Sequence, residues 1–187
     1  MKQGLIIIDV QNDYFPTGKF TLNNTELTLQ NTLKLQKHFR AQQLPIFYIQ
    51  HIKSDPHADF FANGSLGAEI HPSLLPLSNL HEYLVKKTFP NSFYQTELQK
   101  KLQQEQIQQM VICGMMSHMC VDSTTRHASE LGYQPILIHD ACTTCDLEFD
   151  GKTIPSQVVH NNFMSALTNF ASVVSCEMFV QTKLAIL

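Results

Sequence analysis

The chain has 187 residues, 43% of them hydrophobic, with 13 Lys and Arg against 16 Asp and Glu, for a net charge of −3. That length suits one domain spanning residues 1–187, able to bury roughly 70% of its unfolded-chain surface without covalent staples. Scattered basic residues argue against a nucleic-acid partner, and the lack of an apolar run of about 18 residues argues against a membrane span. The N-terminal apolar run, residues 5–10, is too short for a signal peptide and already contains Asp9, so a cytoplasmic location is expected. Five cysteines are an odd number, expected to be free thiols in a reducing compartment.

Along the chain, Leu5, Ile6, Ile7 and Ile8 form a continuous, mostly β-branched apolar run. It predicts a strand buried on both faces, as in parallel sheets. Residues 25–42 carry Leu29 and Leu33 at helical spacing, and 45–52 read as a second strand. Residues 54–76, rich in Gly, Pro, Asp and His, predict a long loop of the kind that often carries function. A short strand at 82–85, a helix over 96–104 and a strand at 109–113 follow. A helix over 119–131 is closed by Gly132. The chain ends with a strand at 135–139, an amphipathic helix over 157–171 and a short strand at 172–175. Strands alternating with helices imply an α/β fold with a mainly parallel sheet covered on both faces. Sites in such folds lie outside the carboxyl ends of the strands. That rule selects Asp9, Lys87, the segment 114–120 and Asp140.

Three of these residues have chemistry to offer. Cys120 follows a strand and a glycine and stands near the first turn of a helix, where free N–H groups and the helix dipole favour a thiolate. A buried, inert cysteine is the competing reading. Asp9 closes an apolar run, where an unpaired carboxylate is costly, so it either caps the next turn or serves as an acid or base. A lysine at a strand end is ordinarily solvated; beside a thiol its charge would favour the thiolate. Spacing alone does not choose between Lys87 and Lys86.

These residues sit in four segments that resemble the isochorismatase-like cysteine hydrolases, the family of nicotinamidases, carbamoylsarcosine-type amidases and isochorismatases. Residues 6–15, from Ile6 through Asp9, Gln11, Asn12 and Asp13 to Phe15, resemble its opening strand with the catalytic aspartate. Residues 87–93, in which Lys87 precedes Ser92 and Phe93, resemble its lysine motif, which selects Lys87 over Lys86. Residues 114–133, with Cys120, resemble the nucleophile loop and helix, and Asp140, Ala141 and Cys142 resemble a later motif.

The resemblance implies a Rossmann-like three-layer α/β/α fold with a six-stranded, mainly parallel sheet. It implies a catalytic triad of Cys120, Asp9 and Lys87 and a cis peptide between Met116 and Ser117. That bond would aim the N–H groups of Ser117 and Cys120 at an oxyanion. The expected activity is hydrolysis of a small amide or related C–N bond through a thioester on Cys120. Alternatives are vinyl-ether hydrolysis of the isochorismatase type and a non-catalytic binding domain. A small-molecule substrate and assembly into a homodimer or homotetramer are further expectations.

Gln11, Phe15, Phe93 and His118 are candidate pocket residues. Asp55, His57 and His71 resemble metal ligands in residue type but not in spacing: the family's metal aspartate stands directly after the second strand, where this chain has Gln50 and His51. No metal or other cofactor is therefore expected. His51 reads, like most of the histidines, as a strand-end residue with a possible place at the pocket. Cys142 and Cys145 have redox spacing but follow Asp140 rather than opening a thioredoxin-like helix, so they read as structural.

Overall fold

A computed structural model describes residues 1–78 and 81–184. Six strands form one parallel sheet: β1 (Gln3–Ile8), β2 (Ile46–His51), β3 (Glu82–Lys87), β4 (Gln109–Met115), β5 (Ile136–Thr143) and, after a hairpin of β6 (Leu147–Phe149) and β7 (Lys152–Ile154), β8 (Ser172–Val174). The order is β3-β2-β1-β4-β5-β8, so the chain winds outward in both directions from the β1–β4 pair. The helices are α1 (Thr25–Ala41), α2 (Leu98–Gln104), α3 (Asp122–Glu130), α4 (Ser156–Leu167) and α5 (Cys176–Leu184). Helix α1 packs with α5 and β5, whereas α3 packs with α4. The result is the expected three-layer α/β/α arrangement.

The reason for the central position of β1 is composition. Every residue of β1 is buried, and Leu5, Ile6 and Ile8 are fully so. Each such side chain removed from water stabilises the fold by roughly 1.5–3 kcal/mol, and only a strand flanked on both edges and both faces collects all of it. The edge strand β3 alternates instead: Val85 and Lys87 point inward, and Leu84 and Lys86 outward. That alternation places Lys87, and not Lys86, inside the molecule.

Two close approaches fix the ends of the central strands. A Cβ on Gly114, at φ +125°, would lie 2.0 Å from the carbonyl oxygen of Ile8, so β4 can lie this close to β1 only with glycine there. A Cβ on Gly67 would lie 2.0 Å from the carboxylate of Asp13. Asp13 in turn accepts the N–H groups of Phe61 (2.7 Å) and Lys19 (3.1 Å), so one buried carboxylate ties the loop after β2 to the turn after β1.

Several boundaries differ from the sequence reading. The expected helix over 119–131 opens as a π-helical turn, Ser117–Val121, before α3 begins at Asp122. The loop over 54–76 contains two short 3-10 turns, Leu66–Ala68 and Pro72–Leu74. The β6–β7 hairpin and α5 were not anticipated. The hairpin turns at Asp150 and Gly151, both at positive φ, the geometry that an Asp-Gly pair favours.

Candidate active site

The parallel register carries four side chains to one edge of the sheet. Asp9 follows the last residue of β1, His51 and Lys87 are partners at the ends of β2 and β3, and Cys120 stands in the π-turn after β4. Asp9 adopts φ 50°, a conformation that non-glycine residues enter at a cost of about 1–3 kcal/mol. Its N–H is held by the carbonyl of Ile49 at 3.1 Å.

The Lys87 ammonium is the centre of the group. Its Nζ lies 2.8 Å from Asp9 Oδ2, 3.1 Å from Cys120 Sγ and 3.2 Å from His51 Nδ1. It also donates to the carbonyls of Phe89 (3.1 Å) and Pro90 (3.2 Å). Asp9, Lys87 and Cys120 are 0%, 2% and 3% exposed. Asp9 Oδ1 has no hydrogen-bond partner among the described residues.

Burial pushes the carboxyl of Asp9 up, but the Lys87 charge and His51 outweigh it, and the net shift is downward. Burial likewise opposes the charge on Lys87, and Asp9 and Cys120 overcome it, so the lysine is held more basic than usual. Burial and the negative charge of Asp9 drive the Cys120 thiol well above its ordinary value despite Lys87. The resting group is thus a carboxylate, an ammonium and a neutral thiol. The thiolate expected from the helix dipole is not the resting species, because the thiol faces a carboxylate inside the protein and the helix proper starts two residues later.

Asp9, His51 and Cys120 also have the donor atoms and spacing of a metal site. The position among them is taken by the Lys87 ammonium, and a second cation there would meet its charge. Asp55 and His57 lie in an exposed turn in which Asp55 Oδ1 accepts the N–H of His57. His71 Nδ1 accepts the N–H of Ser73, and its ring packs on Phe15 at 4.5 Å. Asp55, His57 and His71 do not come together as a ligand set.

The other expected site residues are placed as follows. Gln11 is fully buried and spends its amide on the backbone: Oε1 accepts from His51 N–H (2.8 Å), and Nε2 donates to the carbonyls of His51 (2.9 Å) and Ala68 (2.7 Å). It braces the backbone of His51 at the edge of the site. Phe15 is buried in the core beside His71. Phe93 packs on His127 and Tyr133, towards α3, because the chain turns under that helix after Ser92 hydrogen-bonds Thr124. His118 bonds Thr144 and faces Phe163 of α4. The cis peptide lies between Met115 and Met116, one residue before the expected position, where β4 ends and the π-turn has not yet begun. Ser117 is buried, its Oγ paired with His160 Nδ1 at 2.8 Å. Asp140 lies within β5 and accepts the N–H of Cys176 at the start of α5, away from the thiol. All five cysteines are free.

His51 is the member that sequence reasoning left among ordinary strand-end residues. Its signal was present: it ends a strand next to the one ended by Lys87, and that pairing follows once the sheet order is known.

A buried thiol, carboxylate and ammonium thus meet at the carboxyl edge of a parallel α/β sheet, where such folds place their active sites. Comparison with known proteins identifies the family. Residues 3–171 match the family model described as the isochorismatase domain. The chain is 45% identical to the uncharacterised isochorismatase family protein YddQ of Bacillus subtilis, over 97% of this chain and all of that one. An isochorismatase hydrolase structure from Oleispira antarctica superposes with a TM-score of 0.92 at 42% identity, covering 96% of each chain. Streptothricin hydrolase of Streptomyces noursei is 30% identical over 78% of this chain and 51% of its own length. The chain belongs to the isochorismatase family and is a hydrolase of that family. Among the described residues no helix is long and apolar enough to cross a membrane.

Proposed function

We propose that this protein cleaves a small amide or related C–N bond, with Cys120 as nucleophile, Asp9 as acid and base, and Lys87 as the charge that keeps Asp9 ionised. The observation that carries this reading is the shared ammonium, 2.8 Å from Asp9 and 3.1 Å from Cys120 inside a water-poor site. As the sulfur attacks the carbonyl carbon, its proton passes to Asp9 and the C=O π pair moves to oxygen. The N–H groups of Met119 and Val121 are engaged by the carbonyl of Met116. Those of Ser117 and Cys120 are the donors we assign to the oxyanion. Collapse breaks the C–N bond, and Asp9 protonates the leaving nitrogen. Water then attacks the thioester, Asp9 takes its proton, and the C–S bond breaks as that proton returns to sulfur.

The direction of the Asp9 shift favours this route over vinyl-ether hydrolysis, which needs Asp9 as a protonated acid at the start. Ammonia release from a panel of small primary amides, compared with Cys120→Ala, tests the proposal. Loss of release in the variant, and a mass shift on Cys120 matching the acyl group in the wild type, is the expected result. Turnover that survives Cys120→Ala removes the thioester route. Self-assembly into a homodimer or homotetramer belongs to the same proposal, and a monomer mass by light scattering would remove that part.

A further inference from the structure

The Lys87 ammonium has three protons to donate and five acceptors within 3.2 Å. It has nothing with which to accept. We assign His51 Nδ1, 3.2 Å away, as one of those acceptors, which places the ring proton on Nε2. The His51 backbone is fixed on both sides by Gln11, so the ring is held at a defined edge of the site. Nε2 makes no hydrogen bond among the described residues. The His51 side chain is 14% exposed, whereas the side chains of Asp9 and Lys87 are fully buried. Of the four groups, His51 alone reaches towards solvent to this extent, and Sγ of Cys120 lies only 3.9 Å from Nδ1.

We propose that His51 is a substrate-binding residue, whose Nε2–H donates to an acceptor atom beside the carbon that Cys120 attacks. The substrates selected are small carbonyl compounds with a second acceptor next to the reacting carbon, or whose own carbonyl oxygen reaches Nε2. The inference rests on Cys120 being the reactive group of the proposed hydrolase.

The test uses the full chain and two alkylating probes of similar size: iodoacetamide, which carries a carbonyl acceptor, and allyl bromide, which carries none. Rates at Cys120 are read by peptide mass spectrometry, with Cys113, which is fully buried, as internal reference. His51→Asn keeps an acceptor at the Nδ1 position for Lys87 but loses the outward N–H; His51→Gln carries an amide N–H near the Nε2 position. A neutral hydrogen bond is worth up to about tenfold. His51→Asn should therefore slow iodoacetamide roughly five- to tenfold and leave allyl bromide within about twofold, with His51→Gln recovering much of the loss. The allyl bromide rate also reports whether the variant folds. Equal slowing of both probes by His51→Asn, or no slowing, overturns the role of His51 while leaving the nucleophile in place. A wild-type Cys120 that labels no faster than Cys113 with either probe overturns the thiol reading, and this inference with it.

Discussion

Two ion pairs in this molecule, one half-buried and one fully buried, look alike as charges and differ in how they are satisfied. At the far end of the sheet, Glu82 receives both arms of Arg40 (2.7 and 3.0 Å), the Tyr48 hydroxyl (3.0 Å) and the N–H of Leu77 (2.8 Å). Both carboxylate oxygens there accept hydrogen bonds, and although burial pushes the Glu82 carboxyl up, Arg40 and these donors hold it below its usual range. At the near end, Asp9 meets Lys87, but its Oδ1 has no hydrogen bond, while Lys87 has more acceptors than protons. The first arrangement is closed and holds elements together. The second keeps a free acceptor beside a thiol and shares one cation among competing partners, which is the condition for moving a proton.

The largest effects should come from breaking the open pair. Lys87→Met leaves a buried carboxylate alone and should cost about 3–5 kcal/mol in urea unfolding. Adding Asp9→Asn to it should restore most of that stability while hydrolysis stays lost, since apolar or neutral replacements of a buried pair are often tolerated. Asp9→Asn alone should lower turnover by about 10²–10⁴-fold. A double variant as unstable as Lys87→Met would show that the cost is packing and not charge.

Next in size is the carboxylate that joins the loop to the site. Asp13→Ala removes the acceptor for Phe61 and Lys19 and should cost about 1–3 kcal/mol. Phe61 sits at φ 54° against that bond, so the loop should also be cleaved faster by a protease near residues 54–66. An unchanged cleavage rate would detach Asp13 from the ordering of the loop. A smaller change is expected at the closed pair. Arg40→Gln leaves Glu82 with two donors and should cost about 1 kcal/mol, with hydrolysis unchanged. A loss of turnover there would break the distinction between the two pairs.

The sequence showed more of the near end than of the rest. The run from Leu5 to Ile8 announces a doubly buried strand because no other context tolerates it, and the carboxylate that follows has to be explained. The choice between Lys86 and Lys87 came from a motif, and the pleat of β3 supplies its physical ground. The position of His51 depended on which strands are neighbours, which one-dimensional spacing does not contain. The contacts of Gln11 and Phe93 were not legible either, because proximity in sequence to a motif does not set where a side chain turns: Gln11 bonds the backbone of His51 and Ala68, and Phe93 packs on His127. The Asp150-Gly151 hairpin had a legible turn but strands of three residues, too short for alternation to register. Helix α5 begins on a cap from Asp140, 36 residues upstream, which no local pattern reveals.

The smallest effect concerns pH, and it reports on the frame of the nucleophile turn. His118 and His160 hold Thr144 and Ser117, and burial lowers both below the ordinary 6.5. The neighbours that matter are Asp122, whose charge opposes the shift at His118, and His139, whose charge adds to it at His160. In the unfolded chain these rings take up protons near 6.5, while in the fold they remain neutral to lower pH. The unfolded state therefore binds more protons just below that value, and stability falls as the pH drops through it. His160→Gln removes one of these uptakes and keeps a polar side chain near Ser117. Urea midpoints measured between about pH 7 and 5 should fall less steeply in the variant than in the wild type. An identical slope would mean that His160 is protonated alike in both states, and that the Ser117 contact does not depend on a neutral ring.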